Sequence, residues 1–554
     1  MTEVAILGGG IGGLSTAHEL VERGFDATVY EAGERFGGKA RSFPGPEDAG
    51  GAALPAEHGF RFFPGFYQHV TDTMSRIPAA DGRVTDHLVD TTEILQASTD
   101  RRWSMSTASP ETVGEYRTAV RKLFGGPAVP RDEKAYFLNR LAQLLTSCQG
   151  RLNGTFDDVS WWEYIRAEEM SEKYKKNVGY GITQSLVALR PERASTRTMG
   201  TVYLQLIQGI FDESAEMDSV LDGPTSDVWI DPWTTYLESR EVDLRSNSRV
   251  TAIESDGRRV TGVRIEEGGT ESTVDADYYV VGLPRHVLES LLTPELETAA
   301  PSLGGVRELE GGWMNGVQFY LEEDVELADG HGIYFDSPWA LTTISQRQFW
   351  ESYDVAEHEG VDGVLSVCIS NWNAPGIRYG KPARECTREE IRDEVVAQLE
   401  AHLDGPRGSP FSADLVREWH LDPAIGFDDE GVVADNAEPL FINTVGSLRH
   451  RPAPATEAGN LLVATDYART NSDIASMESA NEAARRAVNA IVDRSGAAVE
   501  PCGVWQWTLP PKFEGLRSLD GLLYRGGLPH PGSVTPILWA GYSTVRSGLG
   551  RSGR

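Results

Sequence analysis

The chain has 554 residues, 40% of them hydrophobic and 24% charged, and a net charge of −32. This length exceeds what one hydrophobic core usually supports, so we expect two connected domains. The acidic balance argues against nucleic acid as a partner, because phosphate binding needs clustered Lys and Arg. It also disfavours electrostatic docking to anionic lipid, and peripheral membrane contact stays open without support.

The four cysteines are far apart and form no CxxC pair, which predicts no disulfide framework and a reducing, cytoplasmic location. The first residues contain no basic region or cleavage site, so we expect no secretory signal peptide. No stretch approaches the roughly 18 apolar residues that a membrane span needs. The 11 histidines are scattered without metal-ligand spacing, so no metal site is predicted.

The N-terminal residues predict a strand, a glycine turn, a helix and a second strand. Residues 4–7 are apolar, residues 14–23 have helical spacing, and residues 27–30 have the composition of a strand. This order is typical of a βαβ unit. Further along the chain the predicted elements are mainly helices over 100–240, strands at 249–254, 260–266 and 272–282, strands within 310–350 and 362–372, a helix over 388–402, a buried strand at 461–465, a helix over 477–492 and irregular chain beyond about 494.

The glycine turn follows the GxGxxG pattern at Gly8, Gly10 and Gly13. In this pattern the first glycine permits the tight turn, the second lets the backbone approach a pyrophosphate, and the third lets helix pack on strand. The helix N-terminus then points free N–H groups at the phosphates. Glu31 ends the second strand, where a carboxylate can accept hydrogen bonds from ribose hydroxyls. These residues predict a dinucleotide site.

The run from Glu31 to Ser42 reads Glu-Ala-Gly-Glu-Arg-Phe-Gly-Gly-Lys-Ala-Arg-Ser. It resembles the second FAD motif of the amine oxidase and phytoene desaturase superfamily. The resemblance implies FAD rather than NAD. No cysteine near Asp466 has the arrangement used for covalent flavin attachment, so we expect non-covalent FAD. From the two N-terminal motifs, the residues expected at FAD are Gly8, Gly10, Ile11, Gly12, Gly13, Glu31, Ala32, Arg35, Gly37, Gly38, Lys39, Ala40 and Arg41.

Further segments match the same superfamily in the same order, and the matches span residues 4–492. Residues 57–65 (EHGFRFFPG) resemble the stretch that passes the isoalloxazine ring in plant-type phytoene desaturases. Within the superfamily, the sequence pattern is most similar to that of the plant-type phytoene and ζ-carotene desaturases. Val250 takes the position where the family's backbone meets adenine. Asp466 takes that of an acid near the ribityl or phosphate region, and Met477 begins the helix that faces flavin O2. The residues 494–554 match nothing that we recognise.

The implied fold is α/β, with a Rossmann-like FAD-binding domain and an interleaved substrate domain of mixed sheet plus helices. The predicted FAD-binding domain comprises residues 1–95, 235–300 and 440–493. The predicted substrate domain comprises residues 96–234 and 301–439, and residues 494–554 form a C-terminal extension of unknown role.

The implied activity is that of an FAD-dependent oxidoreductase. It would desaturate carbon–carbon bonds of a small hydrophobic, isoprenoid-like substrate by hydride transfer to flavin N5, with O2 or a quinone as electron acceptor. Arg61 and Tyr67 are the expected catalytic residues, and Gly59, Phe60, Arg61 and Phe62 are expected at the flavin. The alternatives are an amine oxidase, a redox-neutral flavin-dependent isomerase, and an FAD-less binding protein of the Rab GDP-dissociation inhibitor type.

Overall fold

The structure, a computed structural model, describes residues 2–80, 82–106, 129–211, 218–405, 408–506 and 511–533. Their chain divides into two compact units. The first contains the described residues of Met1–Thr107, Glu216–Ile442 and Arg449–Gln506, and the second those of Ala108–Ala215, Asn443–Leu448 and Trp507–Arg554. The division into a cofactor domain and a substrate domain, which follows other boundaries, stays a prediction.

A five-stranded parallel sheet lies in the first unit and confirms the predicted N-terminal βαβ unit. Glu3–Leu7 is its central strand, and its residues from Val4 onward are buried, as expected for a strand covered on both faces. In the register, Leu7 lies between Tyr30 and Val281. The order of strands across the sheet is Asp243–Arg245, Asp26–Tyr30, Glu3–Leu7, Tyr278–Val281 and Leu461–Val463.

Two helices pack on one face of this sheet. The helix Ile11–Val21 follows the central strand, and the helix Met477–Ser495 follows the strand at the far edge. The second helix turns a row of small buried residues, including Ala480, Ala484 and Ala487, toward the core that it shares with Leu14. Small side chains let the two helices approach closely, so the first and last parts of the matched region meet in one core.

One predicted strand is wrong in its extent. Residues 272–282 form two strands rather than one, because Thr270–Val274 pairs in an antiparallel three-stranded sheet while Tyr278–Val281 joins the parallel sheet. Asp275 and Asp277 lie between them, and aspartate is a poor strand former. The other strands of the three-stranded sheet are Ser248–Ser255 and Val260–Glu267.

A seven-stranded mixed sheet completes the first unit. One face packs against the helix Arg388–Leu403 through buried side chains such as Phe319, Leu365 and Leu399. The strands in order are Val416–Leu421, Asn315–Leu321, Gly363–Ile369, Thr342–Ser345, Gly330–Tyr334, Glu93–Ser98 and Arg101–Ser106, of which only Gly330–Tyr334 and Glu93–Ser98 pair in parallel.

The second unit is helical, and it includes part of the C-terminal extension. The prediction of irregular chain beyond residue 494 is wrong here, because Glu514–Arg525 is a helix. Its buried Asp520 forms an ion pair with Arg151 at 2.9 Å. The main helices of this unit are Arg131–Leu145, Gln149–Asn153, Trp161–Tyr164, Ile182–Val187 and Thr196–Phe211.

The shorter elements connect these layers. The remaining strands are Ser42–Glu47, Ala53–Glu57, Pro78–Ala79, Gly82–Arg83, Leu88–Asp90, Ser219–Leu221, Glu310–Gly312, Ile425–Phe427, Val433–Asn436 and Leu440–Ile442. The remaining α-helices are His69–Arg76, Glu172–Tyr174, Asp231–Ser239, Arg285–Leu291 and Pro294–Ala299. None of the helices described is long and apolar enough to cross a membrane.

Candidate active site

The glycine turn lies at the carboxyl end of the central strand, where parallel α/β sheets bind ligands. Gly8 has φ +103°, and its N–H donates to the carbonyl of Tyr30 at 2.8 Å. A Cβ added to Gly13 would lie 1.9 Å from the carbonyl oxygen of Gly8, and one added to Gly12 would lie 1.9 Å from that of Ala464. No side chain fits at either position, because the helix begins directly against two strand ends.

Gly10 differs from its neighbours because the space beside it is open. The nearest atom to a Cβ at Gly10 is Gly38 Cα at 3.8 Å, an ordinary van der Waals distance. Gly10 is also the N-cap of the helix Ile11–Val21, whose first turn contains no acid and receives no side-chain cap. The free N–H groups and the positive end of the helix dipole therefore point to a place where a diphosphate fits.

Glu31 lies at the end of the neighbouring strand with its carboxylate fixed by the backbone. Its Oε2 accepts a hydrogen bond from the N–H of Gly9 at 2.7 Å, and its Oε1 accepts one from Gly33 at 2.8 Å. The Ser248 N–H donates to the Glu31 carbonyl at 2.7 Å, which brings the strand containing buried Val250 to the same end of the sheet. Glu31 and Val250 thus lie together, as a ribose and adenine site requires, while Ala32 is exposed.

The second glycine pair lies against the first turn. The Gly37 N–H donates to the Gly9 carbonyl at 2.8 Å, and a Cβ at Gly38 would lie 3.0 Å from Gly10 Cα. Both glycines have positive φ, +103° and +56°, which side chains rarely adopt. Ala40, which follows, is buried. The two motifs therefore form one cradle of backbone.

The basic residues of the second motif have different surroundings. Lys39 Nζ donates to the carbonyl of Pro439 at 3.0 Å, and Arg41 Nη2 pairs with Glu438 at 2.7 Å. Arg35 is exposed. A direct role of these three side chains at FAD stays a prediction, and Lys39 and Arg41 also join the motif to the loop at Glu438.

Asp466 and Met477, the two residues predicted at the cofactor from the C-terminal part of the chain, lie near the end of the edge strand and at the start of the last helix of the sheet domain. Asp466 follows the edge strand Leu461–Val463, and burial raises the pKa of its carboxyl, opposed in part by Lys39 and Arg451. Met477 is the first residue of the helix Met477–Ser495, which is capped by Ser476 through the N–H of Ser479 at 3.1 Å.

Glu478 is a residue of this region that the sequence alone does not single out. Its buried carboxylate accepts hydrogen bonds from the N–H groups of Gln68, His69 and Val70, each at 2.9 Å. His69 Nδ1 lies 2.6 Å from the same carboxylate. Burial alone would raise the pKa of Glu478, but the bonds from His69 and the backbone hold it below its ordinary value. Glu478 thereby joins the helix that starts at Met477 to the helix His69–Arg76.

The segment from Gly59 to Phe62 passes between this cradle and the mixed sheet. Arg61 Nη2 donates to the carbonyl of Lys39 at 2.5 Å, and Arg61 Nε is buried without a protein partner among the described residues. Burial lowers the pKa of Arg61. A Cβ at Gly59 would lie 3.0 Å from Cys368 Sγ, so the segment lies close against the sheet.

The rings of Phe60 and Phe62 meet a second residue that the sequence does not single out. The centroid of the His331 ring lies 5.2 Å from that of Phe60 and 4.3 Å from that of Phe62. Burial lowers the pKa of His331 to about 4, so the imidazole is neutral at neutral pH. His331 is a lone histidine in the strand Gly330–Tyr334, about 270 residues from the two phenylalanines in sequence. No sequence pattern indicates that it lies beside them.

Tyr67 is buried in the core beneath the helix Met477–Ser495. Burial and the charge of Glu478 raise the pKa of its phenol, which a hydrogen bond with Ser476 partly opposes. The phenol therefore stays protonated at neutral pH and can donate a hydrogen bond, but it is a poor base. No group of His, Cys, Asp and Glu with a metal-binding arrangement occurs in the described ranges.

The cradle defines a dinucleotide-dependent enzyme with a Rossmann-like fold. A profile of the flavin containing amine oxidoreductase family matches residues 11–492, so the chain belongs to that family. It is an FAD-dependent oxidoreductase. The uncapped helix N-terminus, the open space at Gly10 and the Arg61 Nε, which has no protein partner in the described part of the chain, fit the cofactor. The alternative of an FAD-less binding protein is thereby set aside.

Individual relatives include carotenoid enzymes. The chain is 24% identical over 513 residues to the zeta-carotene desaturase of Synechocystis sp., covering 88% of this chain and 97% of that one. It is 22% identical over 499 residues to the 15-cis-phytoene desaturase of Synechococcus elongatus, covering 89% and 96%.

Solved structures support the fold. Putrescine oxidase bound to putrescine matches with a TM-score of 0.58 at 16% identity, covering 89% of this chain and 99% of that one. Cyclohexylamine oxidase from Brevibacterium oxydans matches with a TM-score of 0.56 at 13% identity, with the same coverage. At these identities the likeness concerns the fold alone.

Proposed function

We propose that the protein dehydrogenates carbon–carbon bonds of a hydrophobic, isoprenoid-like substrate. The observation that carries this proposal is the apolar cluster beside the segment 59–62. Phe60, itself half-buried, packs there against the buried side chains of Val220, Ile344 and Phe349. Apolar and aromatic side chains are the usual surroundings of an apolar ligand. The names of the desaturase relatives point to the same substrate class.

Arg61 favours this reaction over the oxidation of amines. A protonated amine is attracted to a carboxylate, whereas Arg61, which lies between Phe60 and Phe62 in the sequence, is a half-buried cation. A buried positive charge repels an ammonium group more strongly than an exposed one does, because the surroundings screen it poorly. A hydrocarbon substrate is not affected in this way.

The substrate loses two electrons and two hydrogen atoms as a double bond forms. Bound FAD would accept both electrons together with one of the hydrogens. The second hydrogen leaves as a proton to solvent, and O2 or a quinone then takes up the electrons. The rings of Phe60 and Phe62 orient the substrate chain and exclude water. Arg61 and the N–H groups at Met477 stabilise negative charge on the cofactor side. The Tyr67 phenol contributes a hydrogen bond.

The experiment is anaerobic mixing of the purified, FAD-loaded protein with a C40 isoprenoid hydrocarbon that contains saturated bonds next to double bonds. We expect bleaching of the visible flavin band and a product that lacks two hydrogen atoms. Phe62→Ala should weaken the binding of this hydrocarbon. Phe36→Leu, a change beside Gly9 in the nucleotide turn, should leave that binding unchanged. Peroxide formation with amines but no reaction with the hydrocarbon would contradict the proposal. A product of unchanged mass would indicate the isomerase instead.

A further inference from the structure

Two polar atoms on the neighbouring strands Gly330–Tyr334 and Thr342–Ser345 of the mixed sheet have no protein partner among the described residues. They are His331 Nε2 and Thr342 Oγ1, on residues that are 7% and 3% exposed, and neither has a partner in the part of the chain that the structure describes. Buried polar atoms of native proteins almost always have a hydrogen-bond partner, so each such atom calls for one.

Both atoms belong to the same face of the sheet. In the register of the two strands, His331 lies opposite Ile344. Ile333, two residues after His331, lies opposite Thr342. Directly opposite residues share a face and alternate residues repeat it, so His331 and Thr342 are diagonal neighbours, with Cβ atoms about 7 Å apart.

This face looks toward the segment 59–62. His331 contacts the rings of Phe60 and Phe62, and Cys368, which pairs with Thr342, approaches Gly59. Arg61 Nη2 donates to the carbonyl of Lys39 in the second glycine motif. The two polar atoms therefore lie on the face of the sheet that the segment 59–62 covers, beside the rings of Phe60 and Phe62.

We propose that His331 Nε2, with Thr342 Oγ1, binds a hydroxyl or carbonyl oxygen on an otherwise apolar substrate and so determines specificity. This inference rests on the proposed function and deepens it. A neutral imidazole and a hydroxyl both donate or accept, which matches an uncharged oxygen group. A carboxylate or an ammonium group is matched less well, because neither His331 nor Thr342 carries a charge at neutral pH.

The test compares two probes with the FAD-loaded protein: a C40 isoprenoid hydrocarbon and the same hydrocarbon with one terminal hydroxyl. Dissociation constants are read from the change in the flavin absorption spectrum. We expect the wild type to bind the alcohol about tenfold more tightly, the strength of one hydrogen bond. His331→Phe should bring the ratio of the two dissociation constants close to one, because an apolar ring replaces the group that bonds to the hydroxyl.

His420→Phe is the matched control. His420 is also buried, its Nε2 also lacks a protein partner among described residues, and burial lowers its pKa to about 4, but it contacts Phe43 at the edge of the sheet. This variant should keep the tenfold ratio. FAD content and thermal unfolding of all three proteins verify that they are folded.

Two results would overturn the inference about His331: equal affinity of the wild type for the two probes, or a preference for the alcohol that persists in His331→Phe. If the hydrocarbon still reduces the flavin, the proposed function stands in either case. If neither probe alters or bleaches the flavin, the proposed function fails and the inference fails with it. A preference that is lost in His331→Phe and kept in His420→Phe supports both.

Discussion

Gly10→Ala separates cofactor binding from folding more cleanly than any other change in the cradle. The added methyl would meet only Gly38 Cα at 3.8 Å, and Gly10 has φ −76°, so the protein without cofactor should tolerate it. The same methyl would occupy the space through which the diphosphate approaches the backbone. Forcing a methyl into a filled site costs about 1–3 kcal/mol.

We therefore expect Gly10→Ala to weaken FAD binding about 5- to 150-fold, with thermal unfolding of the apoprotein within about 2 °C of the wild type. The assay is titration of apoprotein with FAD, followed by the quenching of flavin fluorescence. Gly12→Ala, whose Cβ would lie 1.9 Å from the Ala464 carbonyl oxygen, should destabilise the apoprotein as well. Gly459→Ala, with nothing within 4 Å, should alter neither property. Unchanged FAD affinity of Gly10→Ala would refute the placement of the diphosphate.

Glu31→Gln removes the charge that accepts from Gly9 and Gly33 and that is predicted to bind ribose, so FAD should dissociate about tenfold more readily in equilibrium dialysis; equal affinity would remove Glu31 from the site. Arg61→Met should slow flavin reduction about tenfold to a hundredfold at unchanged FAD content, as measured by stopped flow; an unchanged rate would limit Arg61 to a structural role. Tyr67→Phe should lower the rate about fivefold by the same amount at each pH, since the phenol stays protonated; an effect that varies with pH near neutrality would contradict this. Glu478→Gln should lower the free energy of unfolding by about 3 kcal/mol in urea titrations at neutral pH. Because the folded-state pKa of Glu478 lies below its ordinary 4.5, this loss should shrink as pH falls below that value, and a pH-independent loss would be inconsistent with it.

The sequence is sufficient for the features that depend on local pattern. Gly8, Gly10 and Gly13 follow a strand and open a helix, and Glu31 comes at the end of the next strand, so spacing alone places them together. The helices 388–402 and 477–492 are confirmed within three residues at their ends. The tail helix Glu514–Arg525 is not predicted, although Leu516, Leu519 and Leu523 already have helical spacing.

The features that depend on distant contacts are beyond sequence reasoning. His331 is singled out only by its contact with the rings of Phe60 and Phe62, and Glu478 only by the N–H groups of residues 68–70; no sequence periodicity connects either pair. Arg41 illustrates the reverse case. Its position in the motif predicts a cofactor contact, while Glu438, nearly 400 residues away, supplies an ion pair that the motif does not contain.

The central strand Glu3–Leu7 has a consequence for how the protein is made. Its second neighbour, Tyr278–Val281, leaves the ribosome some 270 residues later, and the edge strand Leu461–Val463 later still. At about 5–20 residues per second, the first βαβ unit waits about 14 to 54 s with one apolar strand edge unpaired. The growing chain must be protected over this interval from pairing with other strands. Because Asp466 and Met477 follow the last strand of the sheet, the cofactor site predicted from them can form only after that strand has been synthesised.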